Sequence, residues 1–187
     1  AFEISDFTFN ASALASKNGG GASHPNFDPL TVTLDLGSGL TGLYKDLATG
    51  QHITSLELLR RTTGKGAEFY DLRLNDVTVQ SIVEQADGQD QVTFGYNKFS
   101  LTTTPISASG SKGSPVTFGW DIIQNKSISA PLSAGGPGGA KNGYIAHEAT
   151  QNFLIIDGLN GGSHDSKHKG AFEISDFTFN ASALASK

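Results

Sequence analysis

FYDLRLNDVTVQSIVEQ, Phe69 to Gln85, is the stretch that decides the fold. Leu72, Leu74 and Val77 are spaced among Asp, Arg, Asn and Thr in the near-alternation of a strand with one face on a core. The segment is rich in Val and carries no helical spacing, and it reads as one long strand or as a hairpin bent near Asn75-Asp76. Downstream, Ala86-Asp-Gly-Gln-Asp90 contains an Asp-Gly turn, and Gln91 to Thr103 and Val116 to Gln124 continue a meander. Upstream lie Ile53 to Arg60 and the clean alternation Leu30-Thr-Val-Thr-Leu-Asp-Leu36. Only Gly39 to Gly50 (GLTGLYKDLATG) reads as a helix: Leu40, Leu43, Tyr44 and Leu47 fall at i, i+3, i+4 and i+7, and Gly50 ends the run. Phe153-Leu-Ile-Ile156 is a buried strand, and Gly158 to Gly170 is a polar loop. The fold class is all-β with one short helix.

Composition narrows the function. The chain has 187 residues, a formal net charge of −5 and a pI near 5.4. One ordinary domain plus a linker fits that length. No basic patch is present to bind nucleic acid or an anionic membrane, and no apolar run is long enough to span a bilayer. Cysteine is absent, which removes disulfides, thiolate metal sites and cysteine nucleophiles together. Methionine is absent too, and a start at Ala1 inside a strand-like pattern reads as a piece cut from a longer chain or redesigned.

Self-similarity is the strongest single feature. AFEISDFTFNASALASK at Ala1 to Lys17 recurs letter for letter at Ala171 to Lys187, an offset of 170. Within each copy Phe2, Ile4 and, after a shift at Asp6 and Phe7, Phe9 alternate with polar residues. The repeat implies one structural unit of about 170 residues with one strand represented twice. A recent tandem duplication, an excerpt of a periodic polymer and an engineered duplication all produce it.

Candidate chemistry is thin. His164 and His168 stand four apart, but their flanks are Gly-Gly and Lys-Gly, so a solvated loop is the reading rather than a helical zinc pair. Asp157 and Asp165 lack the spacing of a calcium loop. Asp6, Asp71, Asp76, Asp121 and Asp176 fall at turns or strand ends, where carboxylates accept backbone hydrogen bonds. No Gly-x-Ser-x-Gly elbow occurs, and neither Gly19-Gly-Gly21 nor Gly135 to Gly139 is followed by Gly-Lys-Ser/Thr. No catalytic residue, metal or cofactor is expected, and the chain is not read as an enzyme. Trp120, beside Phe118 and Ile122, is read as core rather than as an interface anchor.

The wording of several segments resembles the Hcp proteins, the tube subunits of bacterial type VI secretion. These are FYDLRLNDVTVQSI (Phe69 to Ile82), DQVTFGYNKFSLTTTP (Asp90 to Pro105), PVTFGWDIIQNKSI (Pro115 to Ile128), and Asn152 to Phe177 with its Lys-His-Lys-Gly followed by Phe-Glu-Ile-Ser-Asp-Phe. The family begins with the strand that sits here at Asn152 to Gly158 and ends near Gly119 to Asp121, so the chain resembles a circular permutation of the family order. The resemblance implies a compact β-barrel of two packed sheets with one flanking helix, forming six-membered rings that stack into a hollow tube. It implies a secreted or extracellular bacterial protein whose partners are copies of itself, in a ring, tube or filament, with no nucleic acid and no membrane.

On that frame residues 1–128 carry the main part of the barrel, 129–143 form a Gly/Pro/Ala linker, and 144–187 complete the barrel. Leu34, Leu36, Leu72, Leu74, Val77, Phe94, Phe118, Trp120 and Ile155 are the expected core. Such a barrel has one slot for the duplicated strand. Phe2, Ile4 and Phe9 of one copy and Phe172, Ile174 and Phe179 of the other are therefore the candidate assembly residues: one copy fills its own barrel and the other reaches a neighbour by strand exchange. Two other readings share the sequence features, a bead-like repeat of a large extracellular adhesin or matrix protein and an engineered permutant with a duplicated strand.

Overall fold

The computed structural model describes residues 8–13, 25–34, 39–62, 68–84, 90–106, 111–133 and 150–183. In chain order they form β1 (Thr8–Ala13), β2 (Pro25–Phe27), β3 (Leu30–Leu34), α1 (Leu40–Thr49), β4 (Ile53–Thr62), β5 (Glu68–Glu84), β6 (Asp90–Thr103), β7 (Val116–Asp121), β8 (Lys126–Ser127), β9 (Thr150–Ile156) and β10 (Phe172–Ala183).

The stretch from Phe69 to Glu84 is one long strand with a bend in it. β5 runs through Asp76, whose φ of 55° lies in the left-handed region. Tyr70, Leu72 and Leu74 are buried before it, Val77 and Val79 after it. The buried positions thus pass from even to odd numbers, so the bend turns the strand while keeping apolar side chains inside. His52 Nδ1 and Asn97 Nδ2 both bond the Asp76 carboxylate, which holds a polar side chain in this unusual backbone conformation. β6 makes the same switch opposite it, from Val92, Phe94 and Tyr96 to Phe99, with Asn75 facing Lys98 and Val77 facing Tyr96.

Strand pairing closes on itself. β10 lies beside β9, β9 beside β4, β4 beside β5, β5 beside β6, β6 beside β3, and β3 beside β10 again, every pair antiparallel. The bend lets β5 and β6 each serve two facing sheets, and the closed ring leaves none of these six strands as a full-length open edge. Leu30, Val32, Leu56, Leu58, Leu72, Leu74, Phe94 and Phe172 fill the interior with no exposed surface. Helix α1 flanks the barrel: Leu43 is buried, Leu40 and Leu47 pack against the core, and Gly50 ends the helix at φ 63° as the sequence spacing predicts.

Leu72, Leu74, Val77 and Phe94 are core, and Trp120 packs against it half-buried. Two expectations need correction. Phe118 is 51% exposed, because β7 lies beyond the closed ring, paired with β6 on one side, so its face has no opposing sheet over most of its length. Ile155 is half-buried and points away from the interior, which Leu154 and Ile156 face. Leu34 is described by its backbone alone, and Leu36, the Asp-Gly turn at 86–89 and most of the 129–143 linker lie outside the described residues. The residues entering the linker are docked on the barrel wall: Arg73 Nη1 donates to the Leu132 carbonyl at 2.8 Å while its other nitrogens pair with Glu57 and Asp71.

Candidate functional site

Three features outside the plain core stand out: the slot filled by β10, the loop that leads into it, and the uncovered face of β7.

The slot lies between β9 and β3. On one side Phe172 faces Leu154 and Ile174 faces Asn152; on the other, Ile174 faces Leu34, Phe177 faces Val32 and Thr178 faces Thr31. Register slips between Ile174 and Asp176. This is the physical meaning of the shift in alternation at Asp6 and Phe7, repeated at Asp176 and Phe177: the irregularity returns Phe177 to the interior after Phe172 and Ile174. Phe172, Ile174 and Phe177 are at most 3% exposed. Phe177 was missed among the candidate assembly residues, although that shift was the signal for it.

Phe172 is seated against backbone. A Cβ placed on Gly161 would fall 2.5 Å from both the Phe172 backbone nitrogen and its ring Cγ, so this approach is open only to glycine. Gly161→Ala is therefore expected to destabilise the fold by about 2 kcal/mol through overpacking against main chain that cannot step aside. Equilibrium urea unfolding checks this, and a loss below about 0.5 kcal/mol, the range of neutral surface changes, contradicts it.

β1 continues the same edge of β10 beyond the end of β9, in parallel and in register with its own copy: Thr8 faces Thr178, Phe9 faces Phe179, Asn10 faces Asn180, through Ala13 and Ala183. Phe9 and Phe179 are thus adjacent in the ladder, while Phe2 and Ile4 lie outside the described residues. The C-terminal copy occupies the slot.

The loop before it is pinned rather than solvated. Arg61, with 8% of its side chain exposed, forks onto both Asp165 oxygens and onto Gln151 Oε1, and its guanidinium lies 4.8 Å from the Phe153 ring centroid. Asp165 also accepts the backbone N–H groups of Lys167 and His168, each at 3.0 Å. Burial alone would raise its carboxyl. The bonds from Arg61, the Lys167 N–H and His168, with the Arg61 charge, hold it well below the usual carboxylate range. His168 is 4% exposed, stacked on Phe153 at 4.2 Å, with Nδ1 on Asp165 at 2.9 Å and Nε2 on Glu68 at 3.1 Å. Its two nitrogens are taken by carboxylates on opposite sides, so it bridges the loop to β5. The solvated-loop reading fits His164, which is exposed, and is corrected for His168. Nothing in local spacing could reveal this, because Arg61 and Asp165 are 104 residues apart. No three His, Asp or Glu side chains are arranged to hold a metal ion among the described residues.

The third feature is apolar. Val116 is 65% exposed, Phe118 51% and Ile123 72%, and Phe118 stacks on Trp120 with ring centroids 6.1 Å apart.

Over residues 1–102, just over half the chain, the sequence matches the family described as "Type VI secretion system effector, Hcp". The chain is a member of the Hcp family. Among solved structures, a type six secretion system protein superposes with a TM-score of 0.53 at 24% identity, covering 62% of this chain and 74% of that one, and shares this chain's fold. Hcp1 from Salmonella typhimurium gives 0.44 at 18% identity over 63% of this chain and 80% of its own. The secreted protein Hcp3 from Pseudomonas aeruginosa gives 0.38 at 19% identity, over 60% and 89%. No curated protein matches the sequence. Hcp proteins are structural components of the type VI tube rather than an enzyme family, and among the described residues no helix is long and apolar enough to cross a membrane.

Proposed function

We propose that this Hcp protein is a structural subunit that assembles with copies of itself into a ring, tube or fibre, acts as a secreted bacterial component, and catalyses no reaction. The observation that carries the reading is the β7 face. A closed barrel has buried its own apolar interior, yet Val116, Phe118 and Ile123 remain largely in water on one short strand and the turn that follows it. Rings of identical subunits require such a surface, and membership of a tube-forming family makes a second copy the fitting occupant.

Phe118→Asp tests it. Phe118 is half in water and meets the core through Phe99, with ring centroids 5.9 Å apart, so the melting temperature is expected to fall by no more than about 4 °C. Multi-angle light scattering is expected to show the assembled species replaced by monomer. A variant that assembles as well as wild type contradicts the reading.

A further inference from the structure

We infer that the groove between β9 and β3 is a strand-acceptor site that takes either copy of the duplicated segment, so that Ala1 to Lys17 can replace Ala171 to Lys187 as the sixth barrel strand, from the same chain or from a second copy. The two segments are identical in all seventeen residues. Every side-chain contact that seats Phe172, Ile174 and Phe177 is thus available to Phe2, Ile4 and Phe7.

Connectivity permits both. With the C-terminal copy in place, residues 157–171 join Ile156 of β9 to Phe172, a span of fifteen. β2 pairs with the far end of the slot strand, Phe27 facing Ala181 and Pro25 facing Ala183. The equivalents in the other copy are Ala11 and Ala13, so an N-terminal occupant would reach β2 through residues 14–24, a span of eleven. Closing fifteen rather than eleven residues changes the loop-closure probability by less than about twofold, which leaves the two occupants nearly balanced on chain entropy. The difference lies in the loop. Ser163 N donates to the Ala171 carbonyl at 3.0 Å and Ser163 Oγ to Glu173 at 2.7 Å, bonds that tie the 157–170 loop to the C-terminal copy. Thr8 to Ala13 of the N-terminal copy meanwhile lie beside the occupant, β1 running in register along β10. It is at hand when the slot opens, which raises its effective concentration there.

This inference stands apart from ring building through β7, and its test reads folding rather than assembly. Phe172→Asp places an unpaired charge at a position with no exposure and evicts the C-terminal copy. If the slot takes either copy, the Phe172→Asp chain keeps a cooperative thermal transition by circular dichroism, lowered by no more than the loop bonds contribute. The doubly substituted Phe2→Asp/Phe172→Asp chain has no competent strand left and loses that transition. The Phe2→Asp chain melts like wild type. Light scattering in a Phe118→Asp background, where assembly through β7 is removed, then locates the donor: a monomeric Phe118→Asp/Phe172→Asp protein uses its own Ala1 to Lys17, an oligomeric one uses a second copy's, and both support the inference. A Phe172→Asp chain as unfolded as the double variant overturns it.

Discussion

Arg61→Ala is expected to lower stability by about 3 kcal/mol, because it breaks a buried ion pair and leaves Asp165 with only His168 and two backbone N–H groups. Little of that is offset by repacking, since the guanidinium also covers the Phe153 ring and holds Gln151. A loss of this size should move the melting temperature by about 10 °C in a chain of this length. The same cluster sets a pH dependence. The folded Asp165 carboxyl titrates below its unfolded value of about 4, so its contribution is complete above that pH and is lost as pH falls through and below it. Wild type should therefore exceed Asp165→Asn by its full margin at pH 7, with the margin shrinking steadily from about pH 4 downward. Urea unfolding at a series of pH values checks this, and a margin independent of pH between 7 and 2.5 contradicts it.

Leu72→Ala is the core counterpart. Leu72 has no exposed surface and sits between Leu58 of β4 and Leu101 of β6, in the half of β5 before the bend. Truncation removes apolar burial and leaves a cavity that the two flanking strands cannot collapse into without breaking their ladders, so a loss of about 3 kcal/mol is expected. The same truncation at Phe118, half in water on β7, should cost under about 1 kcal/mol, because little burial is lost. A Phe118→Ala chain as unstable as Leu72→Ala would mean that β7 belongs to the closed core after all.

That comparison shows where the sequence was legible. Alternation in Leu30 to Leu34 and in Phe69 to Gln85 reported which residues share a face, and the break at Asn75-Asp76 was visible as a change in rhythm. The helix at Gly39 to Gly50 was visible for the same reason, through spacing and a terminal glycine. Alternation cannot say whether a face is covered. Phe118 and Trp120 belong to the same face of β7, yet Trp120 meets Phe27 and Phe118 largely meets water, because closure of the barrel through β3 is a property of pairing between distant strands. Ile155 was misplaced because Phe153 to Ile156 is apolar on both faces, one turned to the interior and the other under the 157–170 loop. The Arg61, Asp165, His168 and Glu68 network was illegible for a related reason: its loop residues lie about 100 residues from Arg61 and Glu68, and a His in a Gly-rich stretch looks solvated until the loop is folded. The duplicated strand was legible outright from the letter-for-letter repeat. Which copy takes the slot was not, since identical sequences carry no preference.

Electron microscopy of the purified full chain bears most directly on the account. A self-assembling Hcp barrel is expected to give rings, stacked tubes or filaments of one uniform subunit, and a field of isolated monomers at every concentration examined would contradict it.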